Sequence, residues 1–151
     1  MKVYSESNEL LLISVKPQFA KKIFNGEKTV ELRKSAPLKI KEGAYLLIYV
    51  TSPVKELWGI CRIDNIIKDN PQMLWEKVGK KSGVSKDEFF SYYNETKNAY
   101  GLEISNVKHF YENAVKLDCL KTMLPGFSPP QTYRYIEKNL ISKSRLAEII
   151  D

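Results

Sequence analysis

The chain has 151 residues, 43% of them hydrophobic and 28% charged, the proportions of a soluble globular protein with a core of its own. Its 24 Lys and Arg against 18 Asp and Glu leave a net charge of +6, which suits a polyanionic partner and equally suits plain solubility. Two distant cysteines and a single histidine exclude a disulfide framework and a structural zinc site, and the apolar run Leu10–Val15 is far too short for a membrane span and lacks the flanks of a signal peptide. No residue cluster asks for a metal or a cofactor, and a reducing, cytoplasmic setting is expected.

In chain order, residues 1–8 are polar and expected to fray. Leu10–Val15 reads as a buried strand, closed by Lys16-Pro17. Pro17 suits the first turn of a helix; Phe19, Ala20, Ile23 and Phe24 recur at helical spacing with Lys21 and Lys22 outside, and Gly26 fits the position just past the end. Gly26–Arg33 then runs from a turn into a short strand. Side chains alternate faces along a strand, so Thr29, Glu31 and Arg33 share one face and Val30 and Leu32 the other, with Lys28 at the mouth. The Val/Leu face can enter a core. The other face puts opposite charges two residues apart on a rigid element, which is either a solvated edge strand or a place where a ligand is read.

A basic loop follows over 35–42, with Lys34, Lys39 and Lys41 around Pro37. Ala44–Thr51 is β-rich with no polar face and reads as a central strand, ended by Ser52-Pro53. Leu57–Ile67 alternates, with Trp58, Ile60 and Arg62 facing away from Gly59, Cys61 and Ile63; Gly59 marks a bulge or a close backbone approach. Asn70-Pro71 opens a helix carrying Met73, Leu74, Trp75 and Val78, and Gly79–Gly83 is a lysine-rich loop. Ser85 with Glu88 forms a capping box for a helix whose Phe89, Phe90, Tyr92 and Tyr93 read as packing. β character resumes over Asn98–His109, with Phe110-Tyr111 and Val115–Leu117 extending it around a turn at Glu112-Asn113; the lone His109 reads as structural. Cys119–Asp151 reads as helical, with Ser128–Ile136 starting a helix whose inward stripe is Tyr133, Ile136 and Leu140. The strands lack a crossover helix between each of them. The expected fold is therefore α+β, a small mixed β-barrel over about 10–68 and 97–118 with a helical insertion over about 70–96 and C-terminal helices over about 119–151.

Two stretches, Ile13–Lys34 (ISVKPQFAKKIFNGEKTVELRK) and Leu47–Ile63 (LIYVTSPVKELWGICRI), resemble the ASCH domain family of the PUA-like superfamily. G-x-K-x-x-E-x-R stands intact as Gly26, Lys28, Glu31 and Arg33, and T-S-P-V-K follows the central strand. SPPQTYRY (Ser128–Tyr135) is similar to the C-terminal segment of prokaryotic and viral ASCH-type proteins described as predicted transcriptional regulators. The resemblance implies a PUA-like barrel with flanking helices and a basic cleft lined by the G-x-K-x-x-E-x-R strand. The implied partner is nucleic acid, above all RNA, in a regulatory role. Lys28 and Arg33 are the expected contacts to phosphates or a base, and Glu31 to an exocyclic amine or to Arg33. Thr29, Thr51 and Ser52 would line the cleft, Lys55 would add charge, and Tyr133 or Tyr135, with Arg134, would cover it.

The same family includes small amidohydrolases acting on N4-acetylcytidine and a member type reported as a ribonuclease. The amidohydrolases carry a threonine nucleophile at the position occupied here by Glu31, and a carboxylate does not replace an alkoxide. A metal-independent ribonuclease would use Lys28, Glu31, Arg33 or a tyrosine to move protons and steady charge at phosphorus, and no spacing demands it. The sequence thus points to an RNA-binding regulatory module more than to an enzyme. Its alternatives are a ribonuclease or nucleoside-modifying hydrolase, with Lys28, Glu31 and Arg33 as candidate catalytic groups, and a sensor of a modified nucleoside.

Overall fold

The computed structural model describes residues 9–37 and 41–150; the expected fraying of residues 1–8 and the place of Lys39 in the basic loop lie outside the described residues. The first strand, β1 (Glu9–Val15), is buried on both faces, with Leu10 and Leu12 in one core and Leu11 and Ile13 in another. That is why its apolar run is continuous rather than alternating. α1 (Pro17–Phe24) follows at once, Pro17 in its first turn, and lays Ala20 and Ile23 on the sheet. Gly26 leaves the helix at φ +88°, a conformation that costs glycine nothing. The chain re-enters the sheet as β2 (Val30–Arg33). β3 (Tyr45–Val50), buried throughout, lies parallel to β1 and antiparallel to β4 (Glu56–Asp69).

Alternation along β4 does not hold through its first half. The register slips between Ile48 opposite Gly59 and Tyr49 opposite Leu57, so Trp58 is the extra residue of a bulge. Trp58 packs beside Phe24 against the core that holds Cys61 and Ile63, whereas Ile60 enters the other core. Gly59 is needed here: a Cβ would stand 2.3 Å from the Lys108 carbonyl oxygen and 2.6 Å from the Phe24 ring.

α2 (Pro71–Val78) is capped by Asn70, whose side chain accepts from the Met73 N–H at 2.9 Å. α3 (Lys86–Tyr92) starts on the full capping box of Ser85 and Glu88. Leu74, Val78, Phe89 and Tyr93 from this region bury Val30 and Leu32 of β2 in a third core. β5 (Ala99–His109) pairs with β2 on one side and β4 on the other, and β6 (Val115–Lys116) also pairs with β4. Phe110 and Tyr111 do not extend the sheet; Tyr111–Asn113 is a single 3-10 turn. α4 (Leu117–Met123), α5 (Lys138–Ser142) and α6 (Leu146–Ile150) cover the face of Leu10 and Leu12 with Leu120, Ile141, Leu146 and Ile150. No helix among the described residues is long and apolar enough to cross a membrane.

Two further expectations are corrected. Residues 133–137 form a strand, β7 (Tyr133–Glu137), antiparallel to β1 with Tyr133 opposite Ile13 and Ile136 opposite Leu10. The helical stripe of Tyr133, Ile136 and Leu140 does not exist: Ile136 enters the core of Leu10, Tyr133 and Tyr135 pack on the other side, and Leu140 is 46% exposed. β1 has a free edge beyond β3, and a segment rich in β-prone Tyr and Ile satisfies its backbone groups. The second correction concerns closure. The sheet is mixed but open, in the order β2-β5-β4-β3-β1-β7 with β6 beside β4. Among the described residues no ladder joins β2 back to β1 or β7. Side chains span the gap instead: Arg33 Nη2 donates to the Ser14 carbonyl at 2.8 Å, and Tyr133 Oη donates to the Ser35 carbonyl at 2.8 Å.

Candidate nucleic-acid interface

The gap between the sheet edges is a cleft of about 800 Å³. With Val30 and Leu32 committed to the third core, strand alternation turns Glu31 and Arg33 into this cleft. They are only 6% and 8% exposed, so the charged face of β2 is not a solvated edge. The start of α1 contributes Phe19 to the walls, α3 contributes Tyr92, the end of β3 contributes Thr51, and Pro130–Thr132 arrive from the segment before β7. Tyr93 pins the end of β2 by donating from its hydroxyl to the carbonyls of Arg33 (3.1 Å) and Tyr100 (3.2 Å).

Lys28 is not at the mouth. It is 2% exposed, its Nζ donates to the Ser82 carbonyl at 2.5 Å, and it lies 4.0 Å from Glu31 Oε1 and 5.5 Å from the centre of the Phe19 ring. The lysine-rich loop after α2 builds this seat. Ser82 Oγ donates to the Gly79 carbonyl at 2.6 Å, and Lys22 Nζ donates to the Gly83 carbonyl at 2.7 Å. Gly83, at φ +72°, approaches so closely that a Cβ would sit 2.9 Å from Lys28 Cβ. Burial holds the Lys28 amine below the ordinary lysine range; Arg33 and Lys22 add to the shift, and Glu31 opposes it.

Glu31 and Arg33 are each half-used. Glu31 Oε1 accepts from the Leu32 N–H at 3.1 Å, while its Oε2 is buried without a partner. Arg33 commits Nη2 to Ser14 and stands 5.6 Å from the centre of the Tyr133 ring, while its Nε is buried without a partner. The two do not pair with each other; the ion-pair contact of Glu31 is with Lys28. A buried polar atom left without a hydrogen bond costs about 1–3 kcal/mol. Among the described residues one other buried side-chain atom, Arg62 Nε, is in that state. Burial pushes the Tyr133 hydroxyl well above its ordinary range, against the pull of Arg33, and burial also raises Tyr92.

Of the other sequence-predicted residues, Thr51 lines the cleft and Tyr133 packs against Arg33, with Tyr135 two residues further along the same side of β7. Ser52 and Lys55 are exposed beyond the end of β3 and do not line it. Thr29 is exposed and opens onto a different hollow. Arg134 points to the opposite side of the sheet, where its guanidinium lies 5.2 Å from the centre of the Phe127 ring and donates to the Ser128 carbonyl at 3.4 Å. Sequence reasoning missed Phe19 and Tyr92 as cleft walls. Helical phase gives both a packing role, and no local pattern separates a ring that walls a cleft from one that fills a core.

An open mixed sheet with flanking helices, as arranged here, is the PUA-like fold of ASCH proteins. Superposition on the crystal structure of ASCH from Zymomonas mobilis gives a TM-score of 0.84 at 30% identity, covering 91% of this chain and 94% of that one. The chain is 32% identical over 132 residues to the ASCH domain-containing ribonuclease of Zymomonas mobilis, spanning 87% of each. It is also 32% identical over 109 residues to the large ribosomal subunit protein uL22 of Ureaplasma parvum, which covers 72% of this chain but 34% of that protein. Residues 11–124 match a domain of unknown function, DUF365. The chain belongs to the ASCH domain family.

Proposed function

We propose that this chain binds RNA, taking one nucleotide of a single strand into the cleft over β2. The observation that carries the reading is the buried, unpartnered pair on one strand face: an acceptor, Glu31 Oε2, and a donor, Arg33 Nε. The edge of an unpaired nucleobase offers a donor beside an acceptor, the complement of that pair, and single-stranded RNA leaves such edges free. Phe19 and Tyr92 supply rings for the base, and a cleft of about 800 Å³ is of the size that encloses a small molecule rather than a duplex. The net charge of +6 favours a polyanion, and the two free cysteines fit a reducing, cytoplasmic setting. The names of the relatives, a ribonuclease and a ribosomal protein, support RNA over DNA.

A second reading, that the bound RNA is cut, is favoured by the Zymomonas mobilis relative being named a ribonuclease. In it, Lys28 as the neutral amine or Glu31 Oε2 takes the proton of a 2′-hydroxyl as that oxygen attacks phosphorus. Arg33 faces the charge that develops, and the 5′-oxygen leaves with a proton from solvent.

Equilibrium binding of short single- and double-stranded RNA and DNA at several salt concentrations tests the first reading. Single-stranded RNA is expected to bind best, with affinity falling as salt rises because phosphate contacts release counterions. No salt-dependent binding to any of the four overturns it. Incubation with labelled RNA, with and without EDTA, tests the second: fragments that vanish in Lys28→Ala support cutting, and RNA left intact by the wild type rejects it.

A further inference from the structure

At the C-terminal end of α1, away from the cleft walls, four rings gather that the reading above does not use. Trp58 and His109 stack with centroids 5.4 Å apart and planes 30° apart. His109 and Tyr111 stack at 4.6 Å and 18°. Phe24 closes the side of the column, 4.7 Å from His109 and 6.2 Å from Trp58. The inner ring is fixed, since the Trp58 indole donates to Glu56 Oε1 at 2.9 Å. The middle ring is fixed too: His109 Nδ1 accepts from the Tyr111 N–H at 2.8 Å, which leaves the imidazole proton on Nε2, and burial lowers its tendency to gain a second proton. The outer ring, Tyr111, is 72% exposed.

Tyr111 also sits at φ +53°, a region that costs a side-chain-bearing residue about 1–2 kcal/mol. The chain thus holds a strained residue in a conformation that lays a large ring on a stacked column and turns its other face to water. Packing gains nothing from that outer face. A hollow of about 480 Å³ lies beside it, bordered by Asn25, Gly26, Thr29 and Ser105 and by the apolar Ile104 and Val107. A Cβ on Gly26 would meet nothing within 4 Å, so the backbone there is open to approach. Lys28 borders both this hollow and the cleft. Phe19 at the cleft and Phe24 at the hollow are five residues apart on α1, about 7.5 Å along its axis.

We propose that this column is a second nucleotide subsite, in which a base of the same single-stranded RNA stacks on the exposed face of Tyr111 while its sugar and phosphate lie over Asn25, Gly26 and Thr29. It rests on the reading that the cleft binds RNA. Parallel rings continued outward by one more flat ring are the geometry of base stacking, and Asn25, Thr29 and Ser105 beside the platform can hydrogen-bond a sugar-phosphate.

The test compares the affinities of a nucleoside monophosphate and a single-stranded RNA hexanucleotide for the wild type, Tyr111→Ala and Tyr111→Phe, with thermal midpoints to confirm folding. The ratio of hexanucleotide to mononucleotide affinity is expected to fall by about ten-fold in Tyr111→Ala and to be kept in Tyr111→Phe, because one base–aromatic stack is lost only in the first. An unchanged ratio in Tyr111→Ala, with RNA still bound, overturns the subsite and leaves the cleft reading standing. A ratio lost equally in Tyr111→Phe overturns stacking as its cause. A wild type that binds no RNA at all overturns both.

Discussion

Lys28 combines a position and a charge that oppose each other. Its ammonium is buried against the Ser82 carbonyl, and burial lowers its pKa from the ordinary 10.5. Between the lowered value and 10.5 the unfolded chain holds a proton that the folded chain has released, so this group makes stability rise with pH through that window. Binding runs the other way. An RNA oxygen near Lys28 is attracted to the charged form, so affinity is expected to fall as pH is raised through the lowered value. Lys28→Arg, which stays charged throughout, is expected to show a flat profile. Fluorescence anisotropy with 2′-O-methyl RNA, which resists alkali, measures both; equal slopes in the two chains contradict a role for the Lys28 charge. That Lys28 is buried was not legible in the sequence. Its position before β2 suggested a mouth, and the loop that seats it lies about fifty residues later (Ser82 is 54 positions away).

At the scale of elements, β2 carries the charged groups of the cleft, and the loop 79–83 seats Lys28 beside them. The alternation of Val30 and Leu32 against Glu31 and Arg33 was legible because a strand with one face in a core fixes the other. Gly83 was legible only as part of a loop, whereas the structure gives it two duties, a left-handed turn and a close approach to Lys28. Gly83→Ala is expected to destabilise the fold by about 1–2 kcal/mol from the backbone conformation alone, and to displace Lys28 as well. Urea unfolding checks this: an unchanged midpoint would show that the loop relaxes without cost. β7 was misread for a related reason. The prolines before it, together with Tyr133, Ile136 and Leu140, fit a helix start and stripe, while its actual partner, β1, lies more than a hundred residues earlier. Local phase carries no record of a free strand edge elsewhere in the chain.

The whole molecule is a sheet that does not close, and the closure expected from a barrel is replaced by a cleft between the edges. Composition, element order and the two ASCH-like stretches were enough to place the family, because the strands and the first helix are each specified locally. They were not enough to show which polar groups the open edges leave buried and unpaired, since that depends on side chains meeting across the gap: Arg33 on Ser14, and Tyr133 on Ser35. Thr29, Ser52, Lys55 and Arg134 followed the motif in sequence but diverge from the cleft in space: Thr29 precedes β2, its backbone bonded to Lys81 and Ile104, Ser52 and Lys55 lie past the end of β3, and strand alternation turns Arg134 to the other side of the sheet. The central claim is that RNA enters this cleft and uses the unpartnered groups of Glu31 and Arg33. The Arg33 Nε–H resonance reports on that directly. In a titration of isotope-labelled protein with a short single-stranded RNA, this resonance is expected to move in step with binding, together with the amide of Leu32, which already donates to Glu31. Binding that leaves both resonances in place would contradict the account.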